Sequence, residues 1–506
     1  MKQEPKLEEL LNQAFQRFGD KVAVIDDARR LTYRELRDEV GATIAGLHDL
    51  GVSPRGRIAH VAGASVESLV IDVACYTGGF TRVPINPRAH HTEVLDMVRR
   101  ARAEVLIDPA AGAHDQVAYL QECDSLGSSG RFDRGSFLGA SKPVERPLRP
   151  DWDAEDPPAS IAFTSGTTGH PKGAVHSAKA MLASGLGIAS ALDLAAQDVL
   201  MLPLPLSNIG GHLALAGLLR GTTVVLRRSW SPESFVADQR DLGASVLVGV
   251  PTMFRGLLPY ASQIAPGALR RLVYGAAPTP IDDIVRLRES FGPVLTQMYG
   301  QTEVGIVSTL GVRDHDFDPA APPARLASAG RPVAAALISV VDADGRRLPV
   351  GEVGEVVVRS GTGLTEYLDD PEASKAALTA DGSVRTGDLG RFDEDGYLHI
   401  VGRLKEVIIS GGYNVYPLEV ETAIRDVPGV LDVSVLGVAD AHWGEVVTAC
   451  VVWEPAVEGD PAAVQAMCRS RLAGYKVPKQ VHSVGDLPRN ASGKVDKEAL
   501  RRVIGP

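Results

Sequence analysis

The stretch FTSGTTGHPKG, residues 163–173, sets four hydroxyl side chains and three glycines around a single lysine. Phosphate oxygens need many N–H and O–H donors, a backbone that can come close, and a cation. Thr164, Ser165, Thr167 and Thr168 offer hydroxyls, Gly166 offers close approach, and Lys172 offers charge. The apolar SIAF at 160–163 reads as a strand, which would present the loop at the carboxyl edge of a sheet, where open α/β sheets bind ligands. A Walker loop is excluded: it requires G-x-x-x-x-G-K-[ST], whereas Lys172 stands between Pro171 and Gly173. A Thr- and Gly-rich surface turn would share the composition but not this ordered string.

Outward from that loop, the pattern is strand, turn, helix. LTYRELRDEVGATIAGLHDLGV (31–52) reads as a helix with Thr32 at its N-cap, Glu35 closing a capping box, and Gly51 at its end. Leu36, Val40, Ile44 and Leu47 share one face. RIAHVAG, AEVLIDP, TTVVLRR, ASVLVGVP and RRLVYGAAP read as short buried strands, which favours parallel sheets covered by helices. From about residue 325 short strands joined by Asp-Gly turns suggest antiparallel sheet. The segments 124–158 and 311–327, rich in Gly, Ser, Pro and Asp, read as surface loops.

A chain of 506 residues is too long for one ordinary core. Apolar residues at 44% and charged residues at 23% fit a globular protein. A net charge of −11 argues against nonspecific binding to nucleic acid or to acidic membranes. No long uncharged apolar run predicts a transmembrane helix. The opening MKQEPKLEELLNQAF is a polar amphipathic helix without a signal-peptide core, so a cytoplasmic protein is expected. Cys75, Cys123, Cys450 and Cys468 form neither a CxxC pair nor a metal cluster, so buried reduced thiols are expected.

Five strings together resemble the motifs of the adenylate-forming superfamily, in its order and across nearly the whole chain. They are TSGTTGHPKG, YGQTEVG (299–305), RTGDLG (385–390), GRLKEVIISGGYNVYP (402–417) and PRNASGKVDK (488–497). The resemblance implies an acyl-CoA ligase that activates a carboxylic acid with ATP and Mg²⁺ and passes the acyl group to CoA. The implied fold is α/β: a large N-terminal domain (1–403) of helix-covered sheets plus a small β-barrel-like part, then a small mobile α+β domain (404–506). It assigns the nucleotide to the 164–172 loop, to Gly275, Ala276, Ala277 and Pro278, and to Tyr299, Gly300, Thr302, Asp388 and Arg403. Glu303 would hold the metal, and one carboxylate suffices because Mg²⁺ keeps phosphate and water ligands. Asp388 would take the ribose hydroxyls. Lys494 would bridge carboxylate and α-phosphate, with Thr302 and Glu303 completing the catalytic set. Lys405 marks a hinge, and Gly411 and Gly412 the path of the CoA arm. HWGE (442–445) resembles a further family segment of unassigned chemistry, and basic residues near YKVPK (475–479) are candidates for the CoA phosphates.

LPLSNIGGH (204–212) departs from the family pattern: Ser207 and Asn208 replace an aromatic and a histidine. Ser207 implies a roomier site or a different seal against the thiol. The Asn208 amide has two readings, a bond to a polar substituent of the acid or a bond to its own turn. With Gly210, Gly211, Val250, Gly300 and Gly305 these residues are candidates for the acid pocket, suited to a bulky, mostly apolar acid. The departure leaves open a partial enzyme that only adenylates for a carrier protein, or only makes the thioester. A noncatalytic sensor has no use for Lys494. Oligomeric state is not readable.

Overall fold

The computed structural model describes residues 5–108, 156–164, 171–265, 267–455, 457–490 and 495–505. The chain forms two compact units, Met1–Leu337 with Val358–Val384, and Ile338–Val357 with Arg385–Pro506.

In the first unit the expected helix spans Tyr33–Asp49. Glu35 N–H donates to Thr32 Oγ1 at 3.2 Å, and the Glu35 carboxylate accepts from Thr32 N–H at 2.7 Å. Leu36, Val40 and Leu47 are fully buried, and Gly51 takes φ 79° just past the end. This helix contacts a nine-stranded sheet. Its central strands Leu295–Gln301, Arg271–Gly275, Val246–Gly249, Val199–Leu202, Thr223–Leu226 and Val22–Ile25 run parallel, and antiparallel strands close both edges. Val246–Gly249 and Thr223–Leu226 are buried at every position, as a sheet covered on both faces requires.

A second sheet of six strands carries the phosphate loop. Pro158–Thr164 runs parallel to Thr81–Ile85 and antiparallel to Lys172–Ser177, in a register that sets Thr164 opposite Lys172. A two-residue strand, Glu366–Tyr367, adds to the outer edge with Tyr367 opposite Ala174.

The second unit holds antiparallel structure, as its Asp-Gly turns predict. The part expected to be barrel-like is a four-stranded sheet ending in the antiparallel pair Val384–Phe392 and Leu398–Arg403. A five-stranded sheet follows, built on the long hairpin Val430–Asp440 and Gly444–Trp453. Pro417–Arg425 and Pro461–Arg471 cover it through a core of Val420, Ile424, Val435, Val451 and Val464. Cys75, Cys450 and Cys468 are buried and free, as expected, whereas Cys123 and the proposed loop from 124 through residue 155 lie outside the described residues. Among the described residues no helix is long and apolar enough to cross a membrane.

Candidate active site

Lys172 opens the strand that leaves the phosphate loop, and the chain brings two distant residues to it. Leu364 N–H donates to Glu303 O at 2.8 Å, and Leu368 N–H donates to Gly173 O at 2.8 Å. Between these two ties lies Tyr367. Its hydroxyl donates to Glu303 Oε1 at 3.0 Å, and Lys172 Nζ stands 5.3 Å from the centre of its ring. Burial first, and Glu303 second, push the phenol pKa up, so the hydroxyl remains a donor. Thr164 Oγ1 donates to Lys172 O at 3.4 Å across the neck of the loop. Ser165, Gly166, Thr167 and Thr168 lie outside the described residues.

Glu303 and Thr302 sit in the tight connection between Leu295–Gln301 and Gly305–Leu310. A Cβ on Gly300 would stand 2.0 Å from Gly305 O, so no larger residue fits there. Tyr299 is half-buried on the same strand, opposite Ser308. Behind Thr302 lies His176, whose pKa burial lowers to about 4, against an opposing contribution from the main chain of Thr302 and Ala174. The ring is therefore neutral at physiological pH. The neighbouring strand ends at Gly275, where a Cβ would stand 2.5 Å from Met298 O, and Ala276 follows with φ 66°. A non-glycine residue held in that left-handed region stores about 1 kcal/mol or more, and such strain gathers at functional sites. Ala277 and Pro278 continue this exposed turn, and Thr279 Oγ1 is buried there without a hydrogen-bond partner.

The candidate acid-pocket residues rest on a buried charge cluster that the sequence reading missed. Arg82 is 1% exposed in the middle of Thr81–Ile85. Its Nη1 donates to Tyr76 OH at 2.5 Å, its Nη2 donates to Leu206 O at 2.9 Å, and its Nε lies 3.1 Å from Asp72 Oδ1. His60 Nε2 meets the same carboxylate oxygen at 2.8 Å. The guanidinium thus holds the carbonyl just before Ser207. A Cβ on Gly211 would come within 3.0 Å of Arg82 Nη1, and one on Gly210 within 2.2 Å of Pro205 O, so both glycines are required by close approach. Ser207 is buried with its Oγ unpartnered. Asn208 caps the helix Ile209–Arg220 by position only, because its side chain makes no capping bond; the expected bond to its own turn is absent. Val250 precedes Pro251–Leu257 in extended conformation and is half-buried. The available signal for Arg82 was one charge inside the apolar run TRVPI, a placement charged residues rarely take unless paired.

In the second unit Asp388 and Arg403 face one another across an antiparallel pair, with Arg403 Nε 2.6 Å from Asp388 Oδ1. The Asp388 side chain is 5% exposed and that of Arg403 41%, so the arginine forms the open side of the pair. Lys405 is exposed in the short 3₁₀ turn Leu404–Glu406 that follows. Gly411 and Gly412 turn the hairpin of Ile408–Ser410 and Tyr413–Val415 with φ 59° and 83°, the double positive φ that tight hairpins use. A Cβ on Gly411 would stand 2.8 Å from the Trp443 ring. Trp443 is 42% exposed and carries Lys479 Nζ 3.1 Å from its ring centre, while exposed Tyr413 stacks on Tyr475 at 4.7 Å. Lys494 lies outside the described residues; Arg489 and Val495 pair on either side of it.

The family model described as AMP-binding enzyme matches residues 11–368, and that of the AMP-binding enzyme C-terminal domain matches residues 419–494. The chain belongs to the AMP-binding enzyme family. It is an ATP-dependent acid–thiol ligase of the acyl-CoA synthetase type. It is 34% identical, with 97% of each chain covered, to the 3-[(3aS,4S,7aS)-7a-methyl-1,5-dioxo-octahydro-1H-inden-4-yl]propanoyl:CoA ligase of Rhodococcus jostii (strain RHA1). It is 33% identical to a feruloyl-CoA synthase of Amycolatopsis sp, with 96% of each covered. Among solved structures, the amide bond synthetase McbA from Marinactinospora thermotolerans superposes with a TM-score of 0.89 at 31% identity, covering 98% of this chain and 99% of that one. The acids named for these relatives differ, so membership alone does not choose the acid.

Proposed function

We propose that this AMP-binding enzyme works on a bulky, mostly apolar carboxylic acid in two steps. In the first, a carboxylate oxygen bonds to the α-phosphorus of ATP and pyrophosphate leaves. In the second, the sulfur of CoA bonds to the acyl carbon and AMP leaves. The observation that carries this reading is the pair of opposite charges, Lys172 and Glu303, gathered at the foot of the phosphate loop and, among the described residues, both in contact with Tyr367. The loop donors Thr164, Ser165, Thr167 and Thr168 with Lys172 take the outer phosphates, and Thr302 takes the α-phosphate. Tyr299 and the turn Gly275–Pro278 line the nucleotide.

The residues present fit Mg²⁺. Among the described residues no group of three or more His, Cys, Asp and Glu is poised to hold a metal, and Glu303 offers one carboxylate beside the phosphate positions. That donor set suits an ion whose other ligands are phosphate and water. When bound, Mg²⁺ supplies charge neutralisation on the phosphates. Lys494 adds its own charge where negative charge develops between the carboxylate and the α-phosphate.

Asn208 and Val250, partly exposed, meet the acid, while Ser207, Gly210, Gly211, Gly300 and Gly305 let the wall behind them pack closely. Hydrophobic pockets discriminate weakly per methylene, so shape sets the choice. Residues 404–506 act as a module that turns about Lys405 against 1–403. The turn removes Lys494 from the reacting carbon and admits the thiol arm along Gly411 and Gly412. The exposed rings of Trp443, Tyr413 and Tyr475, with Lys476 and Lys479, suit an aromatic, phosphorylated carrier of that thiol. Asp388 and Arg403 take the ribose. We assign the enzyme to the cytoplasm, where ATP and CoA are supplied.

Lys494→Ala separates the two steps. Acid-dependent pyrophosphate release should fall at least about a hundredfold, while a supplied acyl-adenylate is still converted to its CoA thioester. An unchanged first step would remove Lys494 from the chemistry. A wild-type enzyme that accepts only a carrier-protein thiol would reassign the acceptor.

A further inference from the structure

A lysine and a glutamate in one half-buried site attract each other strongly, because the local dielectric is far below that of water. Were they to pair, an arriving nucleotide would have to break the pair before meeting either charge. Among the described residues they make no ion pair with each other. Tyr367 contacts both, with Lys172 over its ring and its hydroxyl on Glu303 Oε1. Glu303 Oε2 keeps no hydrogen bond among the described residues.

The backbone of Tyr367 is fixed from two sides. It pairs with Ala174 on the strand that begins at Lys172. Its N–H donates to Ser374 Oγ at 2.9 Å, and Ser374 Oγ in turn donates to Asp370 O at 2.7 Å. Ser374 belongs to the helix Pro371–Ala377, whose N-cap Asp370 accepts from Ala373 N–H at 2.9 Å. The backbone that carries the ring therefore cannot shift without undoing a strand edge and a helix start together.

We infer that Tyr367 is a positioning residue that keeps Lys172 and Glu303 apart, orienting Glu303 toward the metal–nucleotide complex and leaving Lys172 free for phosphate. The inference rests on the nucleotide site proposed above. The ring of Tyr367 acts on the lysine and its hydroxyl acts on the glutamate, so the two functions separate by substitution. Tyr367→Phe keeps the ring and removes the hydroxyl. Tyr367→Leu removes both and lets Lys172 and Glu303 close on one another.

Calorimetric titration of the full chain with ATP, once with excess Mg²⁺ and once in EDTA, reads the effect without turnover. Tyr367→Phe should weaken binding of the Mg²⁺ complex about tenfold, the loss of one hydrogen bond to a charged group. Its affinity for metal-free ATP should stay within about twofold of wild type, because Lys172 is undisturbed. Tyr367→Leu should weaken both. Glu303→Gln should weaken the Mg²⁺ complex at least as much as Tyr367→Phe, and adding Tyr367→Phe to it should cost little more. Tyr367→Phe binding that matches wild type in both titrations overturns the inference. So does an equal loss in both, which would mark a general packing role. A wild-type chain that binds neither form of ATP overturns the nucleotide site itself, and the inference with it.

Discussion

Two pairs of opposite charges in the first unit are held in contrasting ways. Arg82 and Asp72 are almost wholly buried and in contact, with His60, Tyr76 and the Leu206 carbonyl filling most remaining directions. Lys172 and Glu303 are partly exposed, make no ion pair with each other among the described residues, and both contact Tyr367. A buried, mutually neutralised pair has little field left for a ligand, but it fixes backbone, here the turn that leads into Ser207–Gly211. A separated pair contributes little to folding and keeps its charges for whatever arrives. The contrast assigns scaffolding to the first cluster and chemistry to the second.

The largest expected effect breaks the first cluster. Arg82→Met leaves Asp72 buried without its cation and should cost about 3–5 kcal/mol of stability, read by urea unfolding. Lys172→Met should change stability by less than about 1 kcal/mol. A Lys172 substitution that destabilises more than the Arg82 one would invert the assignment of roles. The second effect is on activity: Lys172→Met should lower acid-dependent pyrophosphate release by about a hundredfold. Loss of less than about threefold would place the phosphates elsewhere.

A third test concerns the neutral groups beside these charges. Burial lowers His176 to about 4 and His212 to about 3 from 6.5. As pH falls through 6.5 the unfolded chain takes up protons at these positions and the folded chain does not. Stability should therefore decline between pH 6.5 and pH 4, each histidine contributing up to about 1.4 kcal/mol per pH unit. Flat stability across that window would mean that these rings are protonated in the fold. The smallest effect lies in the second unit, where Trp443→Ala should raise KM for CoA about fivefold and leave the KM for ATP unchanged, as expected for loss of one ring contact. Equal changes in both would detach Trp443 from the thiol carrier.

Local signals were legible in the sequence. Thr32 and Glu35 announced a capped helix three residues apart. The Asp-Gly turns after residue 325 announced a different sheet. Arg82 and Tyr367 were not legible, because their meaning lies in partners far along the chain. Arg82 meets a carbonyl 124 residues away, and Tyr367 meets a carboxylate 64 residues away. A single arginine in an apolar strand, or a tyrosine before a helix, carries no spacing rule that points to such partners. Asn208 had two readings in the sequence, and among the described residues its side chain makes no capping bond to its own turn.

The central claim is that one pocket in the first unit couples a carboxylic acid to AMP. Mixing the full chain with ATP, Mg²⁺, CoA and a panel of bulky apolar acids, and following pyrophosphate and thioester in the same samples, tests it directly. Pyrophosphate release should require an acid and be matched by thioester once CoA is present. Folded protein that releases no pyrophosphate with any acid on a broad panel would contradict it.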